Sequence, residues 1–246
     1  MECQWHSRAA TRPAPQSRSN PTLSGKNSSR LLRRAGCRSI IGLEGKNTGT
    51  AGEAGAVIYI IRHGKTERNQ ANVLQGRSDY PLNDEGIRQA EAAADRLREI
   101  RFDHVFSSPL TRAVQTAKIV VPELEPVIDE RLIEMDYGPY EGTNLNRLPP
   151  EILFFFRDFV HNPAPEGMEQ LSTVTERAGS FLDRIRLLQG NILISTHAIA
   201  MKGLLETLTP ESNGSFWSKY IGNCAIYAAE NGEGRIGIPK ELESME

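Results

Sequence analysis

Three apolar runs in this chain each give way to residues suited to holding a phosphate. Val57-Ile58-Tyr59-Ile60-Ile61 leads into Arg62-His63-Gly64, Asp103-His104-Val105-Phe106 into Ser107-Ser108-Pro109-Leu110-Thr111-Arg112, and Asn191-Ile192-Leu193-Ile194 into Ser195-Thr196-His197. A phosphate monoester carries close to two negative charges, so a site that transfers its phosphoryl group needs several fixed cations or donors around the nonbridging oxygens. Arg62, Arg112 and His197 could supply them. His63 would then be the nucleophile, because a neutral imidazole nitrogen attacks phosphorus and leaves a labile phosphohistidine that water can hydrolyse. A lone histidine after a strand is ordinarily a hydrogen-bonded structural residue, so the weight rests on the convergence of three such ends.

The elements that must position these residues alternate between strand and helix patterns from Val57 onward, which predicts an α/β fold with a mostly parallel central sheet and helices on both faces. Asn83 opens a helix through about Ile100, with Ile87, Ala90, Ala94, Leu97 and Ile100 near one face. Ser108 is expected to cap the next helix, with Pro109 in its first turn, so that Arg112 stands close to the strand end. Residues 132–169 hold Gly138-Pro139, Pro149-Pro150 and Pro163-Ala164-Pro165 around a short apolar helix near 152–159, and read as a loop-rich lid insertion. A long helix over 169–189, a buried strand at 191–195, a helix over 198–208 and a last strand at 223–228 complete the pattern. Ligands of open parallel sheets bind beyond the carboxyl ends of the strands, where every basic group named above lies.

Composition bounds the partners. The 246 residues, 39% hydrophobic, suffice for one sizeable core. The net charge of −2 hides an asymmetry: the first 40 residues carry Arg8, Arg12, Arg18, Lys26, Arg30, Arg33, Arg34 and Arg38 against Glu2 alone, which leaves the remainder acidic. An acidic body argues against a nucleic-acid partner. No apolar run approaches the roughly 18–20 residues of a membrane span, and Cys3, Cys37 and Cys224 suggest neither a disulfide framework nor a thiolate metal site. A cytoplasmic protein with a small-molecule substrate is the expectation. Residues 1–55, rich in Ser, Arg, Asn, Gly and Pro, are expected to be a disordered basic tail: an organelle transit segment, a solvated tail, or sequence upstream of the true start. The domain is placed at 56–235, with 236–246 as a C-terminal tail. An edge strand near Cys224 or the lid aromatics could serve a homodimer.

Three ordered stretches, Arg62-His63-Gly64-Lys65-Thr66-Glu67-Arg68-Asn69, Ser108-Pro109-Leu110-Thr111-Arg112-Ala113-Val114-Gln115-Thr116 and Ser195-Thr196-His197, resemble the histidine phosphatase superfamily. The similarity is to the branch of cofactor-dependent phosphoglycerate mutases, broad-specificity phosphatases and alpha-ribazole phosphatases, and covers about residues 57–230. It implies a phosphoglycerate-mutase-like three-layer α/β/α fold, with His63 phosphorylated and Arg62, Asn69, Arg112 and His197 holding the phosphoryl group. It also implies that Glu134 is the proton donor and that the turn at Gln75-Gly76 adds backbone donors. Glu134 must protonate the leaving alkoxide and then accept a proton from water, a pair of tasks one carboxyl can alternate; Glu130, Asp136 and Glu141 are read as surface groups. The scheme needs no metal and no cofactor, and the chain has no His-Glu-x-x-His run and no thiolate cluster.

Departures from the family pattern separate its activities. Met135 stands where the mutases carry an arginine, and residues 137–170 offer only Arg147 and Arg157, too little charge to retain a doubly phosphorylated intermediate. A metal-independent phosphatase is therefore preferred to a mutase, with a catalytically weak phospholigand-binding relative as a third reading. Lys65 and Ala198 also depart from the pattern, and Ala198 would be strained if its position required positive φ. Phe154-Phe155-Phe156 either meet an apolar leaving group or pack on the domain.

Overall fold

The computed structural model describes residues 56–243; the tail expected at 1–55 lies outside them. Among the described residues the sheet has seven strands. β1 (Ala56–Arg62), β2 (His104–Ser107), β3 (Val127–Ile128) and β4 (Ile192–Thr196) run parallel, and β5 (Ile226–Gly232), β6 (Arg235–Ile236) and β7 (Lys240–Glu241) are antiparallel additions. The order β3-β2-β4-β1-β5-β6, with β7 also on β5, makes the fold the expected mostly parallel α/β sheet. The segment expected to be a C-terminal tail instead contributes β7. It has a place because Tyr227 and Ala228 of β5 offer a free ladder to Glu241 and Lys240. The strand that follows Cys224 is for the same reason not an edge; β3 is.

Continuous apolar runs are what strands covered on both sides require. Alternate residues of β1 divide between two cores. Ile58 and Ile60 pack with α5 (Leu171–Ile185) and α6 (Ala198–Leu208), whereas Tyr59 and Ile61 pack with α2 (Asp84–Leu97) and α3 (Thr111–Val120). The insertion closes over a third cluster: Met135, Tyr137, Ile152, Phe155 and Met168 pack against Ile199 of α6, and α4 (Pro150–Arg157) lies within it. The three phenylalanines divide, Phe155 being buried and Phe154 54% exposed. In chain order α1 (Glu67–Gln70) follows β1, and α7 (Ser215–Ser218) follows α6.

Register decides where the strands end. Arg62 lies opposite Thr196, Ile61 opposite Ser195, and Ser195 opposite Ser107, so β1, β4 and β2 stop at one level. The ladders continue one step beyond: His63 N donates to Thr196 O at 2.9 Å and Ser108 N to Ser195 O at 3.0 Å. The turn after β1 lies flat on the first turn of α2, where a Cβ on Gly86 would stand 2.0 Å from the Lys65 carbonyl oxygen. Only glycine permits that approach. Gly86→Ala must therefore push α2 from the His63 loop, and urea denaturation is expected to show a loss of about 1–3 kcal/mol; an unchanged midpoint would mean that the two segments are not in obligatory contact.

Candidate active site

His63 is 3% exposed and occupies the first position past β1. Its Nδ1 lies 2.7 Å from the Gly64 carbonyl oxygen. A carbonyl can only accept, so Nδ1 carries the proton and Nε2 keeps its lone pair. Arg112 Nε donates to that Nε2 at 3.3 Å. Burial, followed by the charges of Arg112 and Arg62, holds the ring's pKa well below 6.5. His63 is therefore a neutral imidazole whose nucleophilic nitrogen faces a cation. Gly64 N donates to Thr116 Oγ1 at 3.1 Å and Asn223 Nδ2 to the His63 carbonyl at 3.0 Å, which fixes the loop from both sides.

Arg112 is fully buried in the first turn of α3. Nη1 donates to Ser78 O at 2.9 Å and Nη2 to Gly76 O at 2.6 Å, so two carbonyl dipoles orient the guanidinium. Desolvation lowers its pKa to about 10, which leaves it charged at neutral pH. The loop that supplies those carbonyls is itself held by Glu141, which accepts from Gly76 N at 2.8 and 3.0 Å and from the Ser78 hydroxyl. Gly76 thus has a different part from the one expected. Its N–H is taken by Glu141, and it serves the site through its carbonyl. Glu141, read from sequence as a surface group, is the anchor of this loop. Asp79 completes it by accepting from Thr111 N at 2.7 Å and Thr111 Oγ1 at 2.6 Å, and so caps α3. The helix starts at Thr111 after Leu110, later than expected, and the Ser108 hydroxyl is committed elsewhere.

That hydroxyl lies 2.7 Å from His197 Nε2. His197 is fully buried as the N-cap residue of α6, its ring centroid 5.1 Å from that of His63. Burial, then Arg112, His63 and Arg62, push its pKa well below 6.5. Arg62 Nη1 donates to Ile221 O at 2.5 Å. Arg62 Nε and His197 Nδ1 are buried without a hydrogen-bond partner. Buried polar atoms are normally satisfied, and two orphans on the residues flanking His63 would be satisfied by a ligand's oxygens. Asn69 commits Oδ1 to the Thr66 backbone amide at 3.2 Å in a capping box.

Glu134 is 3% exposed and docks on the start of α6. Oε1 accepts from Met135 N at 2.8 Å and Ala200 N at 3.1 Å, and Oε2 from Ile199 N at 3.2 Å. A helix N-terminus is a natural seat for a carboxylate. The flanking chain is clamped by α5 and the residues before it. Arg177 Nη1 donates to Ile133 O at 2.6 Å and to Arg131 O at 2.8 Å, and Glu169 Oε2 accepts from Asp136 N at 3.0 Å while Oε1 accepts from Arg177 Nε at 2.9 Å. Ala198 is the first residue of α6 and is not among the positive-φ positions, so its methyl is unstrained. Met135 is fully buried in the apolar cluster of the insertion.

The histidine phosphatase superfamily (branch 1) matches residues 58–240. The chain belongs to that superfamily. It is 37% identical over 159 residues to "Probable phosphoglycerate mutase GpmB" of Yersinia pestis, a match spanning 61% of this chain and 74% of that one. Among solved structures it resembles the phosphoglycerate mutase of Thermus thermophilus, with a TM-score of 0.60 at 26% identity over 76% of this chain and 98% of that one. The fold is shared with the phosphoserine phosphatase of Entamoeba histolytica, with a TM-score of 0.67 at 22% identity over 77% and 98% of the two chains. This histidine phosphatase domain thus has relatives named as mutases and a phosphatase among the structures that share its fold.

The supports that sequence reasoning missed in this domain are Glu141, Asp79, Ser108 in its bond to His197, Asn223, and the Glu169–Arg177 pair. Each is an ordinary polar residue whose partner lies far away along the chain, so no local spacing marks it. Two outcomes test the electrostatics of the site. Nitrogen-15 NMR at pH 6 should find the His63 ring neutral with Nδ1 protonated; an imidazolium there contradicts the depressed pKa. Because both histidines bind protons more weakly folded than unfolded, the unfolded state gains protons below about pH 6.5. Stability should accordingly fall from pH 7 to 5, by up to about 1.4 kcal/mol per histidine per pH unit, as read by urea midpoints.

Proposed function

We propose that this histidine phosphatase domain hydrolyses phosphate monoesters through a phosphohistidine on His63, with Glu134 moving the proton. The observation that carries the reading is the tautomer of His63: Nδ1 is committed to Gly64 and the free pair on Nε2 points at Arg112. When a monoester binds, its oxygens replace that pair as the partner of Arg112 and meet Arg62 and His197. Nε2 attacks phosphorus as the P–O bond to the leaving group breaks, and Glu134, which must enter this step protonated, gives its proton to the departing oxygen. Water then attacks phosphorus, Glu134 takes its proton, the N–P bond breaks, and inorganic phosphate leaves with the imidazole neutral again. Every charge the scheme needs comes from protein side chains.

Hydrolysis is favoured over mutase transfer by Met135, because retaining a bisphosphorylated intermediate needs cations where this chain buries an apolar side chain. The mutase reading remains the second one, and what favours it is the 37% identity to a protein named for that activity.

Phosphate release from 4-nitrophenyl phosphate and from alkyl monoesters separates the readings. EDTA should leave turnover unchanged, and His63→Ala should lower it by at least about a thousandfold. Glu134→Gln should cost about 10²–10⁴-fold with alkyl esters and much less with the nitrophenyl ester, whose leaving group needs little protonation. Interconversion of 2- and 3-phosphoglycerate without phosphate release would instead make it a mutase. Phospholigand binding without either reaction would make it a binding relative.

A further inference from the structure

The rings of His63 and His197 lie 5.1 Å apart, centroid to centroid, and each has one nitrogen bonded to the protein. For His63 it is Nδ1, on the Gly64 carbonyl; for His197 it is Nε2, on the Ser108 hydroxyl. A carbonyl can only accept, whereas a hydroxyl can donate or accept, so the proton of His197 is decided by what else Ser108 does. Ser108 is fully buried one residue past β2, and His197 one residue past β4. Its backbone is pinned on both sides: Ser108 N donates to Ser195 O at 3.0 Å, and the Ser107 hydroxyl donates to Ser108 O at 2.9 Å.

Ser108 Oγ lies 2.7 Å from His197 Nε2 and accepts from Leu110 N at 3.3 Å, the turn a serine makes with the amide two residues on. A hydroxyl has one proton and two lone pairs. If Nε2 carried a proton, in the other neutral tautomer or in an imidazolium, Oγ would accept from both Leu110 N and Nε2. Its own proton would then be buried with nowhere to go, because among the described residues Oγ has no further partner. An unpaired buried donor costs more than a made bond returns. With the proton on Nδ1, the hydroxyl donates to Nε2 and accepts from Leu110, and all three groups are satisfied. Burial and the neighbouring arginines, which hold the ring's pKa well below 6.5, disfavour the imidazolium independently. Nδ1 is the ring atom that is buried without a partner, and in this tautomer it is an N–H, which a phosphate oxygen can satisfy.

We infer that Ser108 is a positioning residue that fixes His197 as the neutral, Nδ1-protonated tautomer, so that His197 meets the phosphoryl group as a hydrogen-bond donor and not as a cation. The inference deepens the hydrolase reading above and rests on it for the part His197 plays. The two histidines then hold their protons on the same nitrogen and present opposite functions. His63 spends Nδ1–H on Gly64 and offers the lone pair of Nε2; His197 spends the lone pair of Nε2 on Ser108 and offers Nδ1–H. A monoester with close to two charges is met by two guanidinium groups, Arg62 and Arg112, and by one neutral donor.

Nitrogen-15 NMR of the resting protein reads the tautomer without turnover, the His197 signals being identified by their loss in His197→Gln. Wild type should show Nδ1 protonated and Nε2 bare from pH 6 to 8. A protonated Nε2, alone or in an imidazolium, overturns the inference before Ser108 is touched. In Ser108→Ala the ring should relax to a mixture of tautomers, and kcat/KM for 4-nitrophenyl phosphate should fall by about ten- to hundredfold, the range of a hydrogen bond to a charged group. Ser108→Thr keeps the hydroxyl and should hold both readings near wild type. A Ser108→Ala protein that loses activity with its His197 tautomer unchanged overturns the positioning role and leaves the serine structural. The wild-type spectrum decides the tautomer even if Ser108→Ala does not fold. Absence of phosphate release by wild type, with Nδ1 protonated as expected, would be a failure of the hydrolase reading instead.

Discussion

The site depends first on the parallel pairing of β1 with β4 and of β4 with β2. Parallel strands deliver their carboxyl ends to one side of a sheet, but they deliver them to one level only if the register is right. Here Arg62 faces Thr196 and Ser195 faces Ser107, and the ladder bonds of His63 and Ser108 extend that register past the strands. A slip of one residue along β4 would turn His197 to the other face of the sheet. The apolar runs that bury both faces are thus also what brings His63, Ser108 and His197 together.

Burial then does to these groups what their chemistry needs. Desolvation beside two arginines holds both imidazoles toward the neutral form, which is what the nucleophile role proposed for His63 requires. The same burial would be ruinous for Arg112 without carbonyl partners, and the chain provides them from a loop tied down by Glu141. Arg112, the Gly76–Ser78 loop and Glu141 therefore act as one unit, in which the cation's orientation is inherited from a carboxylate that never reaches it. Glu134 is held in a comparable way, by the amides at the start of α6 and by the clamp of Arg177 and Glu169.

The insertion joins these two parts. Arg77, in the loop that holds Arg112, reaches Asp136 at 3.3 Å and Glu169 at 3.4 Å, and so spans the gap to the segment carrying Glu134. The ion pair to Asp136 is between half-exposed groups and contributes little by itself. Its consequence is geometric, because Arg112 and Glu134 are referred to one framework. The apolar residues of α4 pack in the same insertion against Ile199 of α6.

Much of this was legible in the residues alone. The alternation of apolar runs and helical faces predicts the sheet, and Arg62, His63, Arg112 and His197 are marked by sitting at strand ends in family spacing; these signals are local, and local patterns survive in a linear string. Asn83 at the start of α2 and Ala198 at the start of α6 are of the same kind. What no spacing could give is any role created by a distant partner. Ser108 looks like a cap until His197 takes its hydroxyl, and Gly76 looks like an amide donor until Glu141 takes its N–H. The sequence by itself determined the order of elements and the family to which the motif residues belong, because these depend on periodicity and residue type. Tertiary structure alone decided tautomer, charge state and orientation, because these are set by burial and by hydrogen bonds between residues up to 160 positions apart.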